Sequence, residues 1–325
     1  MWFRNLQLFR LSSPFDMSPE ALDGQLAGAR FAACGIQELS STGWVPPLGR
    51  YGKQLVHAAG GYIMLCLRTS EKIIPPGVVR QLLDDKVADI EAGEMRTVHR
   101  REKQRIRDEI VTTLLPRALC RQRDLYAYLD TRNGLLVVDT ASASRAEGLV
   151  TRLRSSLGQF PCKPLRTEQS LSAVLTGWLN DAPVAAGFTL GEECELKHPD
   201  PAGGVVSCRH QNLSASEVIT HIRNGKLVTR LALHWKDRLS CVLYDDFTIR
   251  RLRCTDLVRE AAGDAAADDP ASQFDQDFAL MTLELADFIT HLLAALGGEE
   301  APEPAAGKSG DSPAVRRDRP VPAPA

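Results

Sequence analysis

Two apolar runs joined by a short polar segment restrict how this chain can fold more than any other local pattern. The runs lie within residues 126–139 and flank Thr131-Arg132-Asn133-Gly134. An Asn-Gly pair adopts the positive φ angles that a tight turn between antiparallel strands requires. The pattern therefore predicts an antiparallel β-hairpin. A second hairpin is predicted through Tyr244-Asp245-Asp246-Phe247.

Helical patterns lie between and around these hairpins. Ser18 followed by Pro19 is typical of a helix start, and Ser214 with Glu217 predicts a capping box at another. After Pro75 the apolar residues recur at helical spacing, and the helical character continues until Pro116. Together with the hairpins, these patterns predict an α+β protein in which mixed antiparallel sheets carry helices and a helical arm.

The order of the segments predicts four parts. Residues 1–75 together with 120–168 form a central α+β domain, and residues 76–119 form the helical arm at its tip. Residues 169–298 form a second α+β domain that ends in an amphipathic helix over Phe274–Leu296. Residues 299–325 are rich in proline and alanine, which predicts a disordered tail.

Composition limits the cell compartment and the chemistry. The chain has 325 residues, 44% of them apolar, which is enough to bury a core, and it has no run of 18 uncharged apolar residues that would predict a membrane span. Arg10 interrupts the place where a signal peptide needs apolar residues, so we expect a cytoplasmic protein. The eight cysteines are widely spaced, which predicts reduced thiols, no metal site and no cofactor.

Charge is distributed unevenly, although the formal net charge is only -2. Residues 95–123 hold nine basic and three acidic residues, for a net charge of +6, and residues 205–253 hold nine and four, for +5. Residues 255–304 hold twelve acids and one base, for -11. Two basic windows therefore offer a polyanion a positive surface that the total charge conceals.

Four cations of the first window share one direction on a helix. At 100° per residue they fall in a stripe about 60° wide. They are Arg96, Arg100, Lys103 and Arg107. Like charges on one helix face repel, which favours a polyanionic partner. Because few aromatic rings lie nearby, we expect phosphate contacts to duplex DNA without sequence preference, with single-stranded DNA left open as a second ligand.

Motifs for catalysis are scarce. No GxGxxG, GxSxG or HExxH pattern occurs, and the seven histidines do not have metal-ligand spacing. Two alternatives remain beside a non-enzymatic DNA-binding protein. One is a metal-dependent DNA-processing enzyme that uses a carboxylate pair such as Asp245 and Asp246. The other is a protein-interaction module that uses its acidic C-terminal region.

Six segments from residue 1 to about 298 occur in an order and spacing that form a recognisable set. They are Met1–Leu6, Gly43–Pro47, Glu71–Ile73, Leu114–Ala118, Asn133–Leu135 and Phe274–Gly298. Together they resemble the recombination-associated protein RdgC family. The resemblance implies horseshoe-shaped subunits that close head-to-head and tail-to-tail into a homodimeric ring. Duplex DNA would pass through the ring, and a ring that covers DNA would limit access of the RecA recombinase to it. The resemblance places such a protein in the cytoplasm, at the nucleoid.

The resemblance also implies particular residues. Arg96 matches a basic residue of the family's arm, Arg117 lies in a matched Leu-Leu-Pro-Arg-Ala segment, and Gln211 matches a position that lysine usually precedes. In this chain His210 precedes it, which makes the charge there dependent on pH. Leu119 stands where an aromatic ring is expected in a dimer contact. The predicted DNA-binding residues are Arg96, Arg100, Lys103, Arg107, Arg117, Arg209, His210 and Gln211.

Overall fold

The computed structural model describes residues 2–180, 182–200, 202–255, 258 and 269–300. Within these ranges the chain forms seven α-helices and twelve β-strands. The helices are α1 (Pro19–Ala27), α2 (Pro76–Glu94), α3 (Arg100–Leu114), α4 (Ala143–Leu157), α5 (Leu171–Asn180), α6 (Ser216–Arg223) and α7 (Pro270–Ala295). The first six strands are β1 (Leu6–Leu11), β2 (Ser40–Val45), β3 (Val56–Ala59), β4 (Tyr62–Ile73), β5 (Leu119–Asp130) and β6 (Leu135–Asp139). The others are β7 (Cys162–Pro164), β8 (Phe188–Lys197), β9 (Val205–Arg209), β10 (Leu227–Trp235), β11 (Leu239–Tyr244) and β12 (Ile249–Cys254).

All twelve strands belong to one antiparallel sheet, which confirms the predicted α+β class. Its order is β2-β4-β5-β6-β1-β12-β11-β10-β8-β9, with β3 beside β4 and β7 beside β1. The N-terminal and C-terminal parts of the sheet meet at β1 and β12. There Leu6 pairs with Ile249, and the backbone N–H of Leu252 donates to the carbonyl of Arg4 at 2.9 Å. The predicted division into two domains stays a prediction.

The hairpin predicted from Asn133-Gly134 is confirmed as β5 and β6. Gly134 has a φ of 62°, whereas Asn133 keeps a negative φ, so the expectation of positive angles at both residues is wrong. The carboxylate of Asp130 shapes the turn instead. It accepts the backbone N–H groups of Arg132 and Asn133 at 3.1 and 2.9 Å, as an aspartate in a turn commonly does. The second predicted hairpin is confirmed as β11 and β12.

Successive side chains of a strand point to opposite faces of the sheet, and in this protein a hydrophobic core covers each face. On one face Leu65 of β4 and Leu129 of β5 pack into a core that also contains side chains of α1 and α4. On the other face Met64 and Tyr128 pack into a core with α5 and α7. Both cores therefore hold the central strands in register.

Helices α2 and α3 form the predicted arm and have a small core of their own. The arm segment begins at Pro75-Pro76 and ends in a short 3-10 turn, Leu115–Arg117, as its prolines predict. Five buried side chains make up this core, with partly buried side chains around them. They are Val79, Val87, Val98, Ile106 and Ile110.

Helix α7 is long and apolar enough to cross a membrane by length and composition. In this structure it is a core helix, because Phe278, Leu285 and Phe288 are buried against the sheet. Its buried carboxylate, Glu284, accepts a hydrogen bond from Arg238, in the turn between β10 and β11. A bilayer-facing helix would expose this apolar surface to lipid, whereas here it stabilises the sheet.

The helix starts are partly as predicted. Ser18 caps α1, and its side chain accepts the backbone N–H of Ala21. The predicted capping box at α6 is wrong: the cap residue is Ala215, and the backbone N–H of Ser214 donates to the side chain of Asn212. The predicted tail begins at Glu299, which pairs with Thr167, and the backbone N–H of the next residue donates to the carbonyl of Arg166. Residues 301–325 lie outside the described residues.

Candidate nucleic-acid interface

Three of the four predicted stripe cations lie on helix α3. Arg100, Lys103 and Arg107 are exposed and lie three and four residues apart, which places them on one face. In the part of the chain that the structure describes, none of the three forms an ion pair or a side-chain hydrogen bond. Their charges are therefore available to an anion in solvent.

Arg96 does not belong to this stripe, and the prediction that all four cations share one helix face is wrong. Helix α2 ends at Glu94, the φ of 49° at the following Met95 reverses the chain, and α3 begins at Arg100. Arg96 lies in the connection between them. Its guanidinium is engaged by two carboxylates: Nε donates to Glu94 at 2.5 Å, and Nη1 and Nη2 donate to Glu102 at 2.7 Å each.

This pairing changes the charge that Arg96 presents. The hydrogen bonds from Arg96 hold the pKa of Glu102 below its usual value, so the carboxylate stays ionised at neutral pH. In turn, the hydrogen bonds to Glu102 and Glu94 raise the pKa of Arg96. The group of three residues carries one positive and two negative charges, and Arg96 adds no net positive charge to the arm in this state.

Two further cations of α3 were not among the predicted site residues. Arg101 and Arg105 are exposed on the same helix, but at 100° per residue they lie about 100–160° around it from the stripe, on a different face. Their positions, four residues apart in the sequence, already placed them on a common face, and that spacing was the signal that could have identified them.

Arg117 and Leu119 lie at the other end of the arm. Arg117 is exposed in the short 3-10 turn, and Leu119 begins β5 with 78% of its surface exposed. Leu119 pairs with Ile73 across the two strands, and Ile73 is also exposed. Ile36 and Leu39 add exposed apolar surface nearby, since the carbonyl of Leu39 accepts the N–H of the residue before Ile73. An apolar patch of this kind typically marks a contact with another protein.

The second predicted group lies at the end of β9, an edge strand of the sheet. Arg209 is the last residue of the strand and is exposed, and His210 follows with a φ of 53°. Gln211 then turns toward α6, where its side-chain amide donates to Glu217 at 2.9 Å. The three residues are adjacent in space as they are in sequence, and they form a group separate from the arm cations.

Other strands of the sheet add cations to this second group that sequence reasoning did not single out. Arg251 of β12 donates to the carboxylate of Glu193 at 2.6 Å, and Arg209 lies 3.9 Å from the same carboxylate. Arg230 of β10 lies 3.2 Å from Glu195. Burial would raise the pKa of Glu193, but the hydrogen bond and charge of Arg251 outweigh it and lower that pKa.

The candidate carboxylate pair, Asp245 and Asp246, forms the turn between β11 and β12. Asp246 accepts the backbone N–H of Thr248 at 2.9 Å, and the backbone N–H of Asp245 donates to Thr229. Burial, followed by the neighbouring charge of Asp246, raises the pKa of Asp245. The carboxylate of Asp246 therefore shapes the turn.

Among the described residues, no group of three or more histidine, cysteine, aspartate or glutamate side chains is placed to hold a metal ion. The eight cysteines are free thiols.

Three described carboxylates of the acidic C-terminal region contact the body of the protein. Asp275 of α7 pairs with His57 at 3.0 Å, and Asp287 lies 3.4 Å from Lys236. Glu299 forms a salt bridge with Arg10. These carboxylates therefore have partners in the sheet and its turns.

Comparisons with known proteins cover nearly the whole described chain. Residues 1–299 match the family described as "Putative exonuclease, RdgC". Recombination-associated protein RdgC of Aeromonas hydrophila is 43% identical over 300 residues, which is 92% of this chain and 99% of that protein. The proteins of the same name from Yersinia pestis and Yersinia pseudotuberculosis are 42% identical over 299 residues, with the same coverage.

Proposed function

The chain belongs to the RdgC family, and we propose that it binds duplex DNA through phosphate contacts without reading the base sequence. One observation carries the proposal: Arg100, Lys103 and Arg107 are exposed on one face of α3 without internal partners. Cations in this state attract the DNA backbone and release its counterions on binding. The relatives are named for recombination, in which DNA is the common ligand.

The kind of DNA contact follows from the side chains that the surface offers. Arginine and lysine bind phosphates strongly, whereas reading of single-stranded bases uses aromatic rings as stacking platforms. The exposed face of α3 carries charged groups and no aromatic ring. The proposal therefore favours the duplex backbone, with single-stranded DNA as a weaker ligand.

We extend the proposal to the assembly. The apolar patch of Leu119, Ile73, Ile36 and Leu39 would form one of the two contacts through which two copies close into a homodimeric ring around the duplex. Burying exposed leucine and isoleucine side chains gives such a contact its favourable free energy. A ring on DNA, at the nucleoid in the cytoplasm, would limit access of the RecA recombinase without any enzymatic step.

Equilibrium binding to a generic duplex tests the first proposal. Three phosphate contacts alone predict that affinity falls about 40-fold between 50 and 200 mM salt, and further contacts make the fall steeper. A duplex of shuffled sequence should bind equally well. Affinity that barely changes with salt, or that depends on sequence, would overturn the proposal.

The ring is tested by release from DNA. A closed ring should leave a duplex with free ends faster than one whose ends are blocked by bulky groups. In Leu119→Asp, which places a charge in the apolar patch, the dimer should weaken and the two release rates should become equal. Equal rates for the unsubstituted protein would contradict encirclement.

The description of the family as an exonuclease supports a second candidate. Incubation of an end-labelled duplex with the protein and Mg²⁺ distinguishes it from a purely binding protein. Shortened products that disappear in Asp245→Asn would favour the enzyme. An intact label at stoichiometric protein would favour binding alone.

A further inference from the structure

We propose that Glu102 occupies, at Arg96, the place that a DNA phosphate takes in the bound state, and that this carboxylate thereby sets how tightly the arm binds DNA. The inference rests on the proposed DNA-binding function and adds to it a residue that opposes binding. It also gives a role to an acidic side chain that lies among the cations of the arm.

The geometry of the pair resembles recognition of a phosphate. The two Nη atoms of Arg96 donate to the two oxygens of Glu102, each at 2.7 Å, in a two-pronged arrangement. Arginine binds two oxygens of a phosphate in the same way. Glu94 takes the Nε hydrogen at 2.5 Å, so three of the five N–H donors of Arg96 are occupied.

The pair is exposed enough for exchange. The side chains of Arg96 and Glu102 are 42% and 32% exposed, so a phosphate in solvent can reach the guanidinium. Exposed ion pairs are weak, since solvent and salt screen them. A duplex that already contacts Arg100 and Lys103 therefore holds a phosphate near a pair that costs little to open.

Glu102 retains a favourable position after exchange. It lies in the first turn of α3, where the backbone N–H groups and the helix dipole stabilise a negative charge. The carboxylate can thus leave Arg96 without losing all of its stabilisation. DNA and Glu102 would then compete for one guanidinium.

Two predicted DNA-binding residues of the second group also lie against internal carboxylates, although neither forms a two-pronged pair. The side-chain amide of Gln211 donates to the carboxylate of Glu217, and Arg209 lies near the carboxylate of Glu193. Predicted ligand-binding groups on two separate elements are therefore each occupied by an internal carboxylate. This recurrence supports displacement by phosphate as a property of the surface rather than an accident of one loop.

A double-mutant cycle on the full chain tests the inference. Glu102→Gln removes the charge that holds Arg96 but keeps its shape, and Glu109→Gln is the matched control because it removes the same charge from the same helix. Glu109 forms an ion pair with Lys86 at 3.9 Å, and this pair does not involve Arg96. We expect Glu102→Gln to bind a generic duplex about two- to fivefold more tightly than Glu109→Gln.

The second arm of the cycle is Arg96→Ala. This substitution should weaken binding less in the unsubstituted protein than in Glu102→Gln, because in the unsubstituted protein a phosphate must first displace Glu102 from Arg96. Because Glu102 competes with the phosphate, only part of the unsubstituted complexes make the contact to Arg96, and the slope of log affinity against log salt should be steeper in Glu102→Gln by up to about 0.9, the value for one phosphate contact. This slope does not depend on the fraction of folded protein, so it keeps the test decisive if the variant is less stable.

Equal affinities and equal salt slopes for Glu102→Gln and Glu109→Gln would overturn the inference and leave the DNA-binding proposal intact. Weaker binding by Glu102→Gln with an unchanged slope would also overturn it, because Glu102 would then support the site rather than compete for it. Failure of the unsubstituted protein to bind any duplex would overturn the proposed function instead.

Discussion

The arm has a core small enough for one substitution to unfold it without unfolding the sheet. Ile106 of α3 is 6% exposed and is one of five buried side chains in that core. Ile106→Ala removes most of this side chain, and comparable changes in buried cores cost about 2–5 kcal/mol. The cores on the two faces of the sheet contain no arm residue, so they should keep their stability.

Amide hydrogen exchange followed by mass spectrometry measures this directly. A loss of about 2–5 kcal/mol in the free energy of local opening corresponds to exchange roughly 30-fold to several thousand-fold faster. We expect this acceleration in peptides from residues 76–114 and unchanged protection in peptides from β4 and β5 within the sheet. DNA affinity should fall with it, because an unfolded arm no longer aligns its cations.

Thr113→Ala is the matched control, since Thr113 is exposed on the same helix. It should leave arm exchange nearly unchanged. If Ile106→Ala accelerated exchange equally in the arm and in the sheet, the arm would not be a separate cooperative unit. If it accelerated neither, the buried cluster would contribute nothing to arm stability, and the reasoning from packing would be refuted.

Three further predictions concern stability, and chemical denaturation checks each of them. Gly148 is exposed in helix α4 and has open space around it, so Gly148→Ala should stabilise the protein by about 0.5–1 kcal/mol. In Gly43→Ala the new Cβ would lie 2.4 Å from the backbone of a neighbouring segment, so this variant should be less stable. A stability change of the same sign in both variants would contradict the packing. Ser156→Ala removes the acceptor of the buried Trp44 indole N–H, which donates to the serine hydroxyl at 2.9 Å, and should lower the free energy of unfolding by about 1–3 kcal/mol. An unchanged free energy of unfolding would mean that a water replaces the hydroxyl. Burial raises the pKa of Asp139, so its charged form is disfavoured in the folded state. The protein should therefore gain stability relative to Asp139→Asn as the pH falls from neutrality through that raised pKa. A stability difference between the two proteins that stays constant from about pH 7 to pH 4 would contradict this.

Local patterns predicted much of the fold. Ser18-Pro19, Pro75-Pro76 and Asn133-Gly134 each act within a few residues of backbone, and each marks the element that it predicts. Strand β4 continues past its apolar half to Ile73, because β2 and β5 pair with its polar half. Backbone pairing of this kind is non-local, and hydrophobic alternation does not reveal it.

The candidate site was predictable to the extent that it is helical. The 100° periodicity correctly placed Arg100, Lys103 and Arg107 together on α3. It misplaced Arg96 because the periodicity contains no information about the chain reversal at Met95, and the pairing with Glu102 follows from that reversal. The cross-strand cations next to Arg209 were missed because the strand order that brings them together is a tertiary property.

The central claim is that the unpaired cations of α3 contact DNA phosphates. Its most direct test replaces Arg100, Lys103 and Arg107 together with alanine and measures the slope of log affinity for a generic duplex against log salt. The control replaces three exposed cations of other segments, and these are Lys53, Arg145 and Arg166. Three lost contacts should make the slope shallower by about 2.7 per protomer in the arm variant, with a smaller change in the control. A slope that is the same in the arm variant and in the unsubstituted protein would contradict the claim.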